Sequence, residues 1–318
     1  MGVVLVAKSS LFELHPEELA LGITIDLILF VPAIYFLLIR KKDIPKITIV
    51  PFFIGGIVIA SFVIPNDFQF WLTQAKTWLL PAVEITVFVL IVFKVRQLIR
   101  NFIANYALDN DFHSAFKAAA IDVLPGKIAS AFATEIAVVH YGFFSWKKRK
   151  LNANEFSYHK NSGTVALLVT FIFLILLETS VVHLLLVKSS VIAAWVLSIL
   201  SSYTSFQVFG MMRSMSKRPI AIKDNKLILR YGLFSETSID LSAIESVNLS
   251  TKPIELTSMV KKLSPLRDFE SHNVVITLSQ DATLIGLYGS MSNFQTIALH
   301  VDEKDEFVKK LEEKMHCR

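Results

Sequence analysis

The sequence predicts an α-helical polytopic membrane bundle of five or six transmembrane helices, followed by a C-terminal α+β domain. Two observations carry this. The chain has 318 residues, is 53% hydrophobic and has a mean hydropathy of +0.54, which excludes a soluble enzyme with one large core. Apolar runs of roughly 20 residues recur, the length that crosses a hydrocarbon layer of about 30 Å. After Arg218 those runs stop, and short segments with period-two alternation take over.

Span one covers about Leu19 to Ile39, and Pro32 inside it removes a backbone donor and predicts a kink. It is long, ends in Arg40-Lys41-Lys42 and lacks a small-residue cleavage site, so it reads as a retained helix. Span two covers about Ile47 to Ile64, with Gly55-Gly56 allowing close approach. Span three covers about Trp78 to Phe93; Trp71 and Trp78 suit the interface. Residues 97–126 read as amphipathic helices near the surface. The fourth apolar segment, Lys127 to Trp146, is only moderately apolar and carries Glu135 and His140. The last two spans are about Thr164 to Val187 and Val191 to Met211, the latter with a polar stripe of Ser198, Ser201, Ser202 and Ser205 that suits a helix–helix contact.

Basic clusters lie at Arg40-Lys41-Lys42, Lys94-Arg96-Arg100, Lys147-Lys148-Arg149-Lys150 and Arg213-Lys217-Arg218. They fall on one side, with the N-terminus outside, if the fourth segment does not cross. The positive-inside rule therefore favours five crossings, with that segment re-entrant or packed at the cytoplasmic side; six is the alternative. The net charge of +5 reads as topology signal and headgroup contact, not as a nucleic-acid surface. Cys317 is the only cysteine, which excludes a disulfide and a thiolate metal site.

Residues 1–218 thus form the membrane domain and 219–318 a domain of short strands, from IAI at Ile220 to FQTIALHV at Phe294. Asp302 caps a final helix from about Glu303 to Met315, whose apolar stripe is Phe307, Val308, Leu311 and Met315. The segment RPIAIKDNKLILRYGLFSETSIDLSAIESVNL, entered from a pair of membrane helices, resembles the bacterial membrane-associated PH-like domains. That resemblance implies a barrel of antiparallel strands closed by one C-terminal helix, on the cytosolic side. The membrane part, with FSYHKNSG (Phe156 to Gly163), ETSVVHLLL (Glu178 to Leu186), Ala194-Trp195 and Arg218-Pro219, resembles uncharacterised bacterial polytopic proteins, some of which carry carotenoid-cleavage labels. The integral-membrane carotenoid dioxygenases hold iron with histidines from several spans; here only His183 lies inside a span.

Asp26, Glu84, Glu178 and His183 are ionisable residues inside apolar spans, where a charge costs a few kcal/mol and often marks a site. They form the candidate metal set, with oxygen and nitrogen ligands that suit iron, zinc or manganese, and they equally suit a proton relay. Glu135, His140 and His159 are second-tier candidates. The spelling Glu-x-x-Val-Val-His occurs twice, at Glu135 to His140 and at Glu178 to His183. Its five-residue spacing sets the two side chains about 140° apart on a helix, unlike the Glu-x-x-His of di-iron bundles. Tyr158, His159 and Lys160 are candidates for a lipid phosphate. No nucleophile elbow, P-loop, Rossmann glycine pattern or HExxH motif is present.

The leading expectation is a non-enzymatic, multi-pass protein of the cytoplasmic membrane. Its cytosolic domain would engage a protein partner or the membrane surface. An intramembrane metalloenzyme acting on a lipid-soluble substrate, and a proton-coupled transporter using Glu178, are the alternatives.

Overall fold

The computed structural model describes residues 10–42 and 44–316. The chain divides into two compact units, Met1–Gln97 and Leu98–Arg318. Among the described residues, five helices are long and apolar enough to cross a membrane: α1 (Pro16–Ile39), α2 (Lys46–Val63), α3 (Phe70–Leu108), α6 (Thr164–Leu186) and α7 (Val191–Met215). The fourth apolar segment, helix α5 (Gly126–Val139) after the short helix α4 (Phe112–Ile121), is not among them.

In the first unit, α1 and α2 pack around Leu27, Ile28, Ile57 and Ala60. Gly56 makes this possible, because a Cβ there would lie 2.1 Å from the Leu27 carbonyl oxygen. Gly55, by contrast, faces open space. The kink expected from Pro32 takes the form of a π-helical turn, Asp26–Phe30. Proline has no N–H and its ring crowds the carbonyl four residues back, so Val31 bonds five back, to Asp26. Ala75–Leu79 makes the same turn ahead of Pro81.

In the second unit, the helix that contains span three runs on through the segment expected to be separate and amphipathic. Asp111 then caps α4, its side chain accepting from the Ser114 N–H at 3.1 Å. Helix α5 buries Ala129, Ser130, Ala133, Thr134, Ala137 and Val138, a stripe of mostly small residues. That stripe allows close packing on α4 and on α7, where a Cβ on Gly210 would lie 2.5 Å from the Val138 oxygen. The opposite face exposes Ile128, Phe132, Val139 and, in the π turn His140–Phe144, Phe143.

The strands form an open mixed sheet in the order β1-β2-β3-β4-β7-β8-β6, with β5 paired to β7. They are β1 (Glu155–Phe156), β2 (Ile220–Lys223), β3 (Lys226–Tyr231), β4 (Ser235–Asp240), β5 (Ile244–Leu249), β6 (Val260–Lys262), β7 (Val274–Gly286) and β8 (Met291–Leu299). All pairs are antiparallel except β6 with β8. Asp224 and Asn225, both at positive φ, make the tight β2–β3 turn. Helix α8 (Lys304–His316) covers the core with Phe307 and Leu311.

The sheet begins upstream of residue 219. Strand β1 precedes the α6–α7 hairpin and pairs with β2, which follows it. Leu168 near the foot of α6 and Met215 at the foot of α7 lie in the sheet's own core. The hairpin is therefore rooted in the sheet, not tethered to it by a linker.

Candidate functional site

Arg218 is the polar centre of the second unit. It follows α7 directly, is 1% exposed, and would carry an unsatisfied charge without partners. Its Nε donates to both Asp111 carboxylate oxygens at 3.1 Å, and Nη2 to Asp111 Oδ2 at 2.9 Å. Nη2 also reaches Glu236 Oε2 at 2.6 Å, while Nη1 donates to the Gly232 carbonyl. Lys117 of α4 closes the group by donating to Glu236 Oε1 at 3.1 Å. The β3–β4 turn fits here because Gly232 has φ +53°, and a Cβ would strike Ser214 of α7 at 2.6 Å.

Burial works against ionisation of both carboxylates, and the cations outweigh it. Arg218 and Arg230 hold Asp111 well below the usual carboxylate range. Arg218, with Lys117 among the lesser contributors, holds Glu236 at about 2. His113, beside them on α4, is pushed down to about 3 by burial and by Arg218, so it is neutral. Neither of its ring nitrogens has a partner among the described residues. A cavity of about 10 Å³ adjoins it, lined also by Lys117, Ser130, Arg218 and Glu236, with room for about one water.

This network overturns the reading of Arg218 as a surface topology charge; its guanidinium faces carboxylates, not headgroups. It also removes Tyr158 as a phosphate ligand. Tyr158 is fully buried, donates to the Arg218 carbonyl at 3.2 Å and accepts from the Gly232 N–H at 2.6 Å. The neighbouring Lys160 and Asn161 use their N–H groups to bind the Asp302 carboxylate. His159 is half-buried beside Tyr158, and burial lowers its pKa.

Glu135 builds a second junction. Its carboxylate accepts from the hydroxyls of Tyr203 and Tyr288 and from Gln207 Nε2, the last two at 2.8 and 2.9 Å. Three elements meet there: α5, the C-terminal half of α7, and the turn Leu287–Gly289 between β7 and β8. Tyr288 has φ +56°, unfavourable for a side chain of its size, and the contact to Glu135 helps hold it. Burial and the bond to Glu135 push its hydroxyl up to about 12.

The remaining candidates each have their own surroundings within their unit. His140 stacks on Phe112 at 3.8 Å, and burial, then Lys217, lowers its pKa. His183 Nδ1 lies 2.7 Å from Ser198 Oγ, with Trp195 edge-on. Glu178 is exposed on another face of α6, as the spacing requires. Asp26 and Glu84 belong to the first unit and are exposed on α1 and α3. Among the described residues, no three His, Cys, Asp or Glu side chains are placed to share a metal ion.

The α4–α5 pair is held at the foot of α7 both before and after it. Asp111, the cap of α4, binds Arg218. Beyond α5, the Lys147 carbonyl accepts from Lys217, and Arg149 donates to the Lys217 carbonyl at 2.7 Å. Comparison with protein-family models, curated proteins and solved structures returned no match.

Proposed function

We propose that this protein is a membrane-anchored interaction module of the cytoplasmic membrane. Five helices cross, and a cytosolic PH-like domain engages a protein partner or the membrane surface. One observation carries the reading: the α6–α7 hairpin rises out of the sheet itself, between β1 and β2, with Leu168 and Met215 in the shared core. A domain built this way stands against the bilayer with a fixed face toward it. The C-terminal helix lying across a mostly antiparallel sheet supports the PH-like assignment. Asp111, before the α4–α5 pair, and Lys147, after it, both bind residues that directly follow α7, which supports five crossings, because a crossing α5 would put the two on opposite sides of the membrane.

The test is site-specific photo-crosslinking in intact membranes from Phe269, which is 76% exposed on the sheet domain. The module reading expects a discrete protein or lipid adduct that a control site such as Lys314 on α8 does not give. Absence of any adduct from several such positions, with the protein folded and in the membrane, rejects it.

A further inference from the structure

One concavity in the sheet domain belongs to none of the polar junctions. It is a groove of about 510 Å³ between the start of β4 and the edge strand β6, within the size range of small-ligand sites. Phe234, Leu256 and Leu287, all at least partly exposed, give it apolar walls. Lys261 and Arg267 give it two cations, and no Asp or Glu is among the described residues that line it. Lys262 donates to the Arg267 carbonyl at 2.9 Å, which fixes the loop that carries the arginine. An apolar cleft with cations on one side matches a molecule with the same two halves.

We propose that this groove binds a single-chain amphiphile, its chain on Phe234, Leu256 and Leu287 and its anionic head on Lys261 and Arg267. Two features favour an amphiphile over an acidic peptide. Part of the β6 edge away from β8 is already used: the Val260 carbonyl accepts from the Thr257 N–H in a local turn, and the Leu263 carbonyl accepts from Ser235 Oγ, so little of this three-residue strand remains for an added strand. The groove also includes Gly286 and Leu287, next to Tyr288, whose hydroxyl accepts from Gln207 of α7 at 3.2 Å. Resting on the membrane reading above, this puts the groove within reach of the inner leaflet, where amphiphiles concentrate. The head is a phosphate or carboxylate, drawn from the bilayer's own lipid or from a free amphiphile.

The probe is hexyl phosphate, titrated calorimetrically into the full chain in phosphatidylcholine nanodiscs, with empty nanodiscs as blank. Hexanol and inorganic phosphate are the controls that lack one half. We expect saturable binding of one hexyl phosphate, with both controls weaker by about tenfold or more, since each loses one set of contacts. The Lys261→Gln/Arg267→Gln variant should weaken hexyl phosphate by about tenfold, and Ser292→Phe, which fills the groove, should abolish it, with melting temperature unchanged in both. Repeating the titration in phosphatidylglycerol nanodiscs separates the sources: competition points to bilayer lipid, and unchanged affinity to a free amphiphile. Equal binding of inorganic phosphate or of hexanol overturns the proposal, as does no binding to folded wild type. Displacement of bound hexyl phosphate by an acidic peptide of higher affinity assigns the groove to a protein and also overturns it. Topology is read separately by thiol labelling, so failure of the membrane reading is distinguishable from failure of the groove.

Discussion

Arg218 and Asp111 lie 107 positions apart in the chain and share three hydrogen bonds of 2.9 to 3.1 Å in a site almost closed to water. The pair ties the foot of a candidate membrane helix to the cap of α4. Removing one partner strands the other as a buried charge. Arg218→Met is expected to destabilise the second unit by about 3–5 kcal/mol, measured by thermal or denaturant unfolding in detergent. Arg218→Lys should recover only part of this, because an ammonium cannot span Asp111, Glu236 and the Gly232 carbonyl together. Full stability in the lysine variant would show that charge alone, and not the planar fork, matters here.

Acid should loosen this junction in two stages. His113 has an ordinary pKa of 6.5 and stays neutral in the fold down to about 3. Between those values the unfolded chain takes a proton that the folded chain refuses, so stability falls as pH drops below about 6.5. Glu236 and Asp111 are depressed carboxylates, so their contribution is present above their ordinary values of 4.5 and 3.8 and fades below them. A melting-temperature profile should decline from near pH 6.5 in wild type. In His113→Phe the decline between pH 6.5 and 4.5 should be shallower, the remainder coming from His140, His159 and His272, whose pKa values burial also lowers. Superimposable profiles would mean that His113 finds a partner in solution, most simply a water in the adjoining cavity.

How far the sequence reaches can be read from particular residues. The five long helices are legible because length and apolar content suffice, and α8 is legible from the spacing of Phe307 and Leu311. Arg218 was not: a basic residue at the end of a span looks the same whether it faces headgroups or a carboxylate more than a hundred residues away. Strands β1 and β6, of two and three residues, are too short to show any period. Strand β7 reads as two strands because Ser279 to Asp281 interrupts its apolar pattern, yet the structure keeps it continuous through a register shift between Thr277 and Ala282. Glu135 stood out as a charge in apolar sequence. Its partners Tyr203, Gln207 and Tyr288 come together only through tertiary packing.

The Glu135 junction makes its own prediction. Tyr288→Phe removes one donor from the carboxylate and leaves a strained turn without its anchor. A loss of about 1 kcal/mol in stability is expected, together with faster hydrogen exchange at residues 286–290 and little change in α8. Tyr288→Gly removes the backbone strain as well as the bond, so it should be less damaging than its lost side chain alone would suggest. Equal exchange in wild type and Tyr288→Phe would show that the turn is held by packing of Leu287 instead.

Gly56 offers a test in the first unit. A methyl group there would overlap the Leu27 backbone, which can move only if α1 and α2 separate. Gly56→Ala should cost about 1–3 kcal/mol, whereas Gly55→Ala, one position along and facing open space, should be neutral or slightly stabilising. Comparing the two melting temperatures cancels any general effect of alanine in this helix. Similar values for both would mean that α1 and α2 do not meet at Gly56.

The placement of α5 can be decided with single cysteines in a Cys317→Ser background and an impermeant thiol reagent. Lys127 lies in the first turn of α5, Asn154 follows its end, and Ser189 sits in the short turn between α6 and α7; all three are exposed. Because Asp111 and Lys147 flank the α4–α5 pair and both touch the foot of α7, Lys127→Cys and Asn154→Cys should label from the same side of the membrane. Ser189→Cys should label from the other. Labelling of Lys127→Cys and Asn154→Cys from opposite sides would mean that α5 crosses, and the network joining Arg218 to Asp111 could then not form in the membrane. In that case Arg218→Met should leave stability almost unchanged, so the labelling and the unfolding measurements must agree.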